Sequence, residues 1–233
     1  MQKSKLMVAV LGALIAAPAM ADSPWSGNVT LASQYLYRGI PQTDGGGAIQ
    51  GGFDYADPSG FYIGTWASNI SWLYTVQGYT GASSLEIDTY AGYSGSFAKD
   101  FSYDVGILRY NYGGTRNTAT VVNADTNELY GKIGWKTISV KYSRSTGNLF
   151  GFADSSGSGY LQVDGSYSFP VVDVSAHYGH QSITGAVNTG LSYSDYNVAV
   201  SKDFGGYTVS VMASKTNYTG DKTRGVLSVS HSM

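Results

Sequence analysis

Asp173, Ser175 and His177 are the residue types of a nucleophilic relay, and they follow one another at alternate positions. A relay needs nucleophile, base and orienting group within hydrogen-bond reach. The alternation around them makes the segment a strand, where same-face neighbours stand about 6.6 Å apart, too far for a relay within it. A hydrolytic site would have to join His177, His180 or His231 to a serine on another strand. Three His and no Cys give no structural zinc spacing, and no carboxylate run matches a calcium loop. Gly45, Gly46 and Gly47 lack the following helix that a phosphate cradle requires. The sequons at Asn28, Asn69 and Asn217 read as chance in a chain of this type. No cofactor or metal is called for, and no chemical step is assigned.

Glu86 and Asp88 raise a different chemistry. Two apart on one strand face, they repel each other unless a lysine on an adjacent strand or a cation intervenes. Electrostatic attraction of ions is therefore the activity that these residue types predict.

The elements that must position these residues are strands. Val29 and Leu31, with Tyr35 and Tyr37, alternate with Asn28, Thr30, Gln34 and Arg38. The period of two returns around Ile49 and Phe53, Leu85 and Ile87, Val105 and Ile107, Leu129 and Ile133, Val140 and Tyr142, Leu161 and Val163, and Val172 and Val174. Tyr196, Val198 and Val200, then Tyr207, Val209 and Val211, then Leu227 and Val229 complete it. Strict alternation is the mark of strands whose two faces meet different surroundings. A further strand falls within 61–72, where Tyr62, Trp66, Ile70 and Trp72 compete with Phe61, Ile63 and Ala67 for the apolar face, leaving its phase open.

These segments make twelve strands. Short connections rich in Gly, Pro and Asp alternate with long polar ones at 39–46, 73–83, 113–126, 145–158, 180–189 and 217–222. Such alternation predicts an all-β transmembrane up-and-down antiparallel β-barrel, with long loops at one end and tight turns at the other. Twelve strands of about 10 residues leave about 8 for each connection, and ten tilted residues reach across an apolar band of about 25 Å. A soluble β-sandwich or eight-stranded binding barrel also alternates. Aromatics near strand ends, among them Tyr35, Tyr37, Trp72, Tyr93, Tyr110, Tyr112, Trp135, Tyr142, Tyr178 and Tyr207, favour the membrane barrel, where such rings form girdles.

Composition agrees. In 233 residues there are 31 Gly, 20 Tyr and no Cys, with a net charge of -2, which excludes a coiled coil and leaves no electrostatic footprint for nucleic acid. Lys3 and Lys5, the apolar run 6–17 and the small residues flanking Met20 read as a secretory signal over 1–21, cleaved after Ala21, leaving 22–233 as one barrel domain. Removing the two lysines leaves 12 basic against 16 acidic residues. The expected location is the Gram-negative outer membrane, reached by the general secretory route.

Turning the apolar set to lipid turns Arg38, Gln50, Asp54, Glu86, Asp88, Asp104, Glu128, Lys132, Lys141, Asp164, Asp173 and His177 to the lumen as candidate pore-lining residues. Seven acids against three bases predict a modest preference for cations. The same charges could instead pair across neighbouring strands and plug a narrow lumen. Twelve strands lie between barrels filled by side chains and barrels holding an aqueous channel, and a loop folding into the mouth would close one.

Residues 26–40, with Gln42-Thr43, 48–55 and 60–70, resemble the TorF family of porin-like proteins from Gram-negative bacteria, as does Lys202-Asp203-Phe204-Gly205-Gly206. The resemblance implies an outer-membrane β-barrel with a pore, and no particular solute. The ending His231-Ser232-Met233 departs from the terminal aromatic usual in such barrels. The expected function is passive diffusion of small hydrophilic solutes or ions, with outer-membrane lipid and lipopolysaccharide as surroundings. The alternatives are a closed structural barrel acting through its outer loops and, from another class, an outer-membrane hydrolase. Nothing in the sequence fixes the oligomeric state.

Overall fold

The computed structural model describes residues 23–75, 82–114 and 122–233. The expected signal segment and its cleavage point after Ala21 lie outside the described residues, as do parts of the second and third long loops.

Alternating residues give the chain its barrel. From β1 (Trp25–Ala32), the loop that follows carries two short strands, β2 (Leu36–Tyr37) and β3 (Ile40–Pro41). The wall continues with β4 (Ala48–Ala56), β5 (Phe61–Asn69), β6 (Ala82–Phe97), β7 (Phe101–Gly114) and β8 (Thr126–Trp135). Next come β9 (Ile138–Ser145), β10 (Gly159–Ser168), β11 (Asp173–Ser182), β12 (Tyr193–Asp203), β13 (Tyr207–Thr216) and β14 (Arg224–Ser232). A single helical turn, α1 (Trp72–Thr75), follows β5. Each wall strand pairs antiparallel with its sequence neighbour, and β1 closes the ring on β14, from Asn28 opposite Ser232 to Ala32 opposite Ser228. The wall thus has the expected twelve strands, and β2 with β3 forms a separate ribbon.

Closure removes sheet edges, so the backbone is paired all round and only the two faces differ. Leu31, Ile49, Phe53, Ile63, Leu129, Ile133, Val198 and Val211 stand exposed on the outside, while Gln50, Ser68, Glu128, Ser210, Ser214 and Ser228 are buried on the inside. A soluble sandwich would hide the first set and show the second.

The strand of open phase resolves clearly. Phe61 and Ile63 face out, and Tyr62 is buried inside. Its hydroxyl donates to Asp104 at 2.5 Å and bonds the hydroxyl of Tyr130. A tyrosine is amphipathic, and the hydroxyl's partners decide which way it turns. Five of the expected girdle positions are overturned, four tyrosines for the same reason and Trp72 because β5 ends at Asn69 and the chain leaves the wall before it. Tyr93, Trp135, Tyr142, Tyr178 and Tyr207 are exposed, whereas Tyr35, Trp72, Tyr110 and Tyr112 are buried and Tyr37 packs against the interior cluster. Tyr35 and Tyr37 do not extend the first strand, because β1 stops at Ala32 and the chain turns inward. At the other end, the Met233 amide donates to the Gly27 carbonyl at 2.8 Å, and His231 stacks on Tyr207 at 4.8 Å.

Candidate functional site

What sets the interior is the loop between β1 and β4. Leu36 pairs with Pro41 and Tyr37 with Ile40, and the two residues at the tip, Arg38 and Gly39, have φ of 48° and 77°. Two successive left-handed residues make the tight turn whose twist suits a hairpin, and a glycine in second place is its usual occupant. The tip rests on the barrel wall: a Cβ on Gly39 would lie 2.7 Å from Thr216 Cγ2 and 2.8 Å from Asp195 Cβ. The arms are tied at the mouth, where the Ser71 amide donates to the Gln42 carbonyl at 2.7 Å.

Arg38 is the functional centre of this hairpin. One terminal nitrogen donates to Gln181 Oε1 of β11 at 2.6 Å, the other to Glu128 Oε2 of β8 at 2.7 Å. Its guanidinium lies 4.1 Å from the Tyr160 ring centroid and 4.8 Å from that of Tyr37. The Tyr37 hydroxyl bonds that of Tyr110 on β7 at 2.6 Å. With Asp195 on β12 and Thr216 on β13, the hairpin touches walls from β7 round to β13. The loop after β9 braces the hairpin by setting Phe150 edge-on against Tyr37 and Tyr110, at 5.5 and 5.0 Å.

The alternation puts Arg38 inside as a member of the first strand; in the structure it reaches the interior from the loop instead, where it crosses the lumen. Gln50, Asp54, Glu86, Asp88, Asp104, Glu128, Lys132, Lys141, Asp164, Asp173 and His177 are buried or half-buried on the inward alternation of their strands. Most are not loose charges. Asp54 accepts from Tyr90 at 2.6 Å and Asp104 from Tyr62. The Lys141 ammonium sits 4.1 Å from the Tyr130 ring centroid. Gln50 lies 3.4 Å from Ser68 Oγ.

His177 is held by two carboxylates. Nδ1 lies 2.6 Å from Asp164 Oδ1 and Nε2 3.2 Å from Asp195 Oδ1, while the Tyr160 hydroxyl joins Nε2 at 2.9 Å and Asp195 Oδ2 at 2.8 Å. Neither Asp173 nor Ser175 takes part. His180 does meet a serine, Nδ1 to Ser194 Oγ at 2.9 Å, but that hydroxyl is shared with Tyr178 at 3.1 Å and no carboxylate bonds the imidazole. A relay needs that third, orienting group.

Glu86 and Asp88 are each 1% exposed. Their cross-strand neighbours are Ser68 and Tyr112 for Glu86, Trp66 and Tyr110 for Asp88, so no lysine intervenes. Glu86 accepts from the Tyr112 hydroxyl at 3.0 Å; its other oxygen and both of Asp88 have no hydrogen-bond partner among the described residues. Among the described residues no group of three or more His, Cys, Asp or Glu could hold a metal ion.

Two chambers inside the barrel share Tyr37 and Arg38. The chamber toward the long loops has about 270 Å³ and is walled by aromatic rings. The deeper one has about 50 Å³, room for a few waters, and is lined by Lys141, Asp164, His177 and Asp195 among others. Neither is lined by Glu86 or Asp88. Asp195, Gln181 and Tyr160 are the interior residues that sequence reading passed over. The alternation of Tyr196, Val198 and Val200 outward already placed Asp195 inward; what the period could not give was a partner.

An apolar outside, a hydrogen-bonded polar inside and an inward-folded loop define a barrel of the transmembrane type. The chain is similar to the KdgM porin, with TM-score 0.58 and 12% identity over 89% of this chain and 99% of that one. It is equally similar to the KdgM porin in complex with disordered oligogalacturonate, with TM-score 0.59, 12% identity and coverage of 89% and 99%. At such identity the likeness is one of fold. Residues 17–230 match the model of Gcw_chp, described as a bacterial protein of unknown function, and the chain belongs to that family. No curated protein matches it.

Proposed function

We propose that the protein is an outer-membrane porin-like channel for passive diffusion of small hydrophilic solutes, with the Arg38 hairpin as its constriction. The observation that carries this reading is the hairpin itself: a loop that folds inward, spans from β7 to β13 and divides two chambers narrows a lumen without removing its polar lining. The mechanism is physical. Backbone pairing closes the wall, apolar side chains meet lipid and lipopolysaccharide, and solute follows the polar interior with no bond made or broken. The domain reading goes with it, a secretory signal over 1–21 cleaved after Ala21 and a barrel over 22–233, as does kinship with the TorF porins.

The cation preference expected from the acid count is not carried over. Glu86 and Asp88 lie outside both chambers, and Asp164 and Asp195 are engaged by His177, so the chambers present a nearly balanced set with Arg38 and Lys141 as their bases.

The test is swelling of liposomes that contain the refolded protein, in isosmotic sugars of graded size. Swelling with the smallest solutes and a steep fall with size is the expected result. A second reading, a closed barrel acting through its outer loops, is favoured by the size of the deeper chamber, about 50 Å³. No swelling with any solute, from a correctly folded barrel, would decide for it.

A further inference from the structure

The larger chamber has a chemistry of its own. Trp72, Tyr112, Phe150, Phe152, Tyr193 and Tyr218 supply much of its wall, and among the described residues lining it only Arg38 is charged. Three of its four tyrosines offer ring carbon more than hydroxyl. Tyr37 hydroxyl is bonded to Tyr110, Tyr112 donates to Glu86 and Tyr218 donates to the Leu191 carbonyl at 2.8 Å. A polyhydroxylated ring would find few partners there, whereas a flat apolar ring would find faces and edges on several sides. The volume suits one ring, being below the usual range of drug-sized pockets.

Arg38 supplies the polar end. A guanidinium has five N–H donors, and here the hydrogen bonds to Gln181 and Glu128 use one from each terminal nitrogen. Its flat, weakly hydrated head is the side chain best fitted to share itself between two carboxylates. We infer that the aromatic vestibule above the hairpin is a binding site for a small single-ring carboxylate, with the ring between Tyr112 and Phe152 and the carboxylate on Arg38. The site goes beyond passive diffusion and does not depend on it, because occupancy at equilibrium is measured whether or not the lumen conducts.

The experiment is titration calorimetry on the full chain, purified in detergent, with benzoate, its uncharged counterpart benzamide, and acetate. Saturable benzoate binding with a Kd at least tenfold below that of benzamide, and no saturable heat from acetate, is expected. Phe152→Ala should weaken benzoate and benzamide by the same several-fold factor, and the double variant Arg38→Gln/Glu128→Gln should erase the difference between them. Equal affinity for benzoate and benzamide in the unaltered protein overturns the role of Arg38. Absence of saturable benzoate binding to protein that keeps its heat-modifiable barrel mobility overturns the site. Both of these outcomes are read on the unaltered chain, so a variant that fails to fold does not blunt them.

Discussion

Arg38, at the tip of an inward-folded loop, donates to Glu128 on the opposite wall at 2.7 Å, and the two side chains are only 7% and 2% exposed. A pair so sequestered is expensive to form and more expensive to break, because either partner alone becomes an uncompensated buried charge. Glu128→Gln should therefore cost about 3–5 kcal/mol of unfolding free energy, and Arg38→Gln a similar amount. The double variant should recover much of that loss. A double-mutant cycle on urea unfolding in detergent reads the coupling, and strictly additive losses would show that the two charges do not act as a pair.

Gly39 tests how tightly the hairpin is seated. Its φ of 77° and the absent Cβ, which would meet Thr216 and Asp195 below 3 Å, both resist any other residue. Gly39→Ala should loosen the tip without unfolding the wall, at a cost of about 1–3 kcal/mol for the strained backbone. Liposome swelling rates should rise, while the heat-modifiable band stays. Unchanged swelling in a folded variant would mean that the tip does not limit passage.

Asp88 makes the opposite prediction. Its two oxygens are buried beside Glu86 without a hydrogen-bond partner among the described residues. Asp88→Asn removes a like charge and keeps the shape, so it should raise stability by about 1 kcal/mol or more. Loss of stability would point to a bound counter-ion that the carboxylate holds.

The last long loop carries a pH signature. Burial acts to raise the Asp221 carboxyl, but hydrogen bonds from the Thr216 amide and hydroxyl, with Arg224 alongside, outweigh it and hold the group below the usual carboxylate range. A depressed folded value gives stability that is present above the unfolded pKa of about 3.9 and is lost as pH falls through the folded one. Amide exchange at Thr216 should quicken below that range. In Asp221→Asn it should be fast already at neutral pH and show no such step.

Much of this barrel is legible in the chain. The period of two marks twelve wall strands and their inward charges, since a strand between lipid and lumen needs different chemistry on alternate residues. Tyrosine is where that reading fails. Tyr110 and Tyr93 look alike in sequence, yet one bonds Glu128 and Tyr37 inside and the other stands outside. The distinction lies in partners several strands away, which local pattern does not carry. The hairpin is hidden for a like reason: Arg38 continues the alternation of Asn28 and Thr30, and only the turn at Arg38-Gly39 and a distant Glu128 reveal that the chain has left the wall. The phase of β5 is settled by Tyr62, through Asp104 and Tyr130, rather than by any hydrophobic count.

The central claim, that the hairpin constricts a conducting lumen, is tested most directly by single-channel recording in planar bilayers. The unaltered protein is compared with a variant in which residues 36–41 are replaced by a Gly-Ser linker. Discrete openings in the first, and a several-fold larger unitary conductance in the second, are the predicted result. Silence from both, in protein that keeps its heat-modifiable barrel, would contradict it.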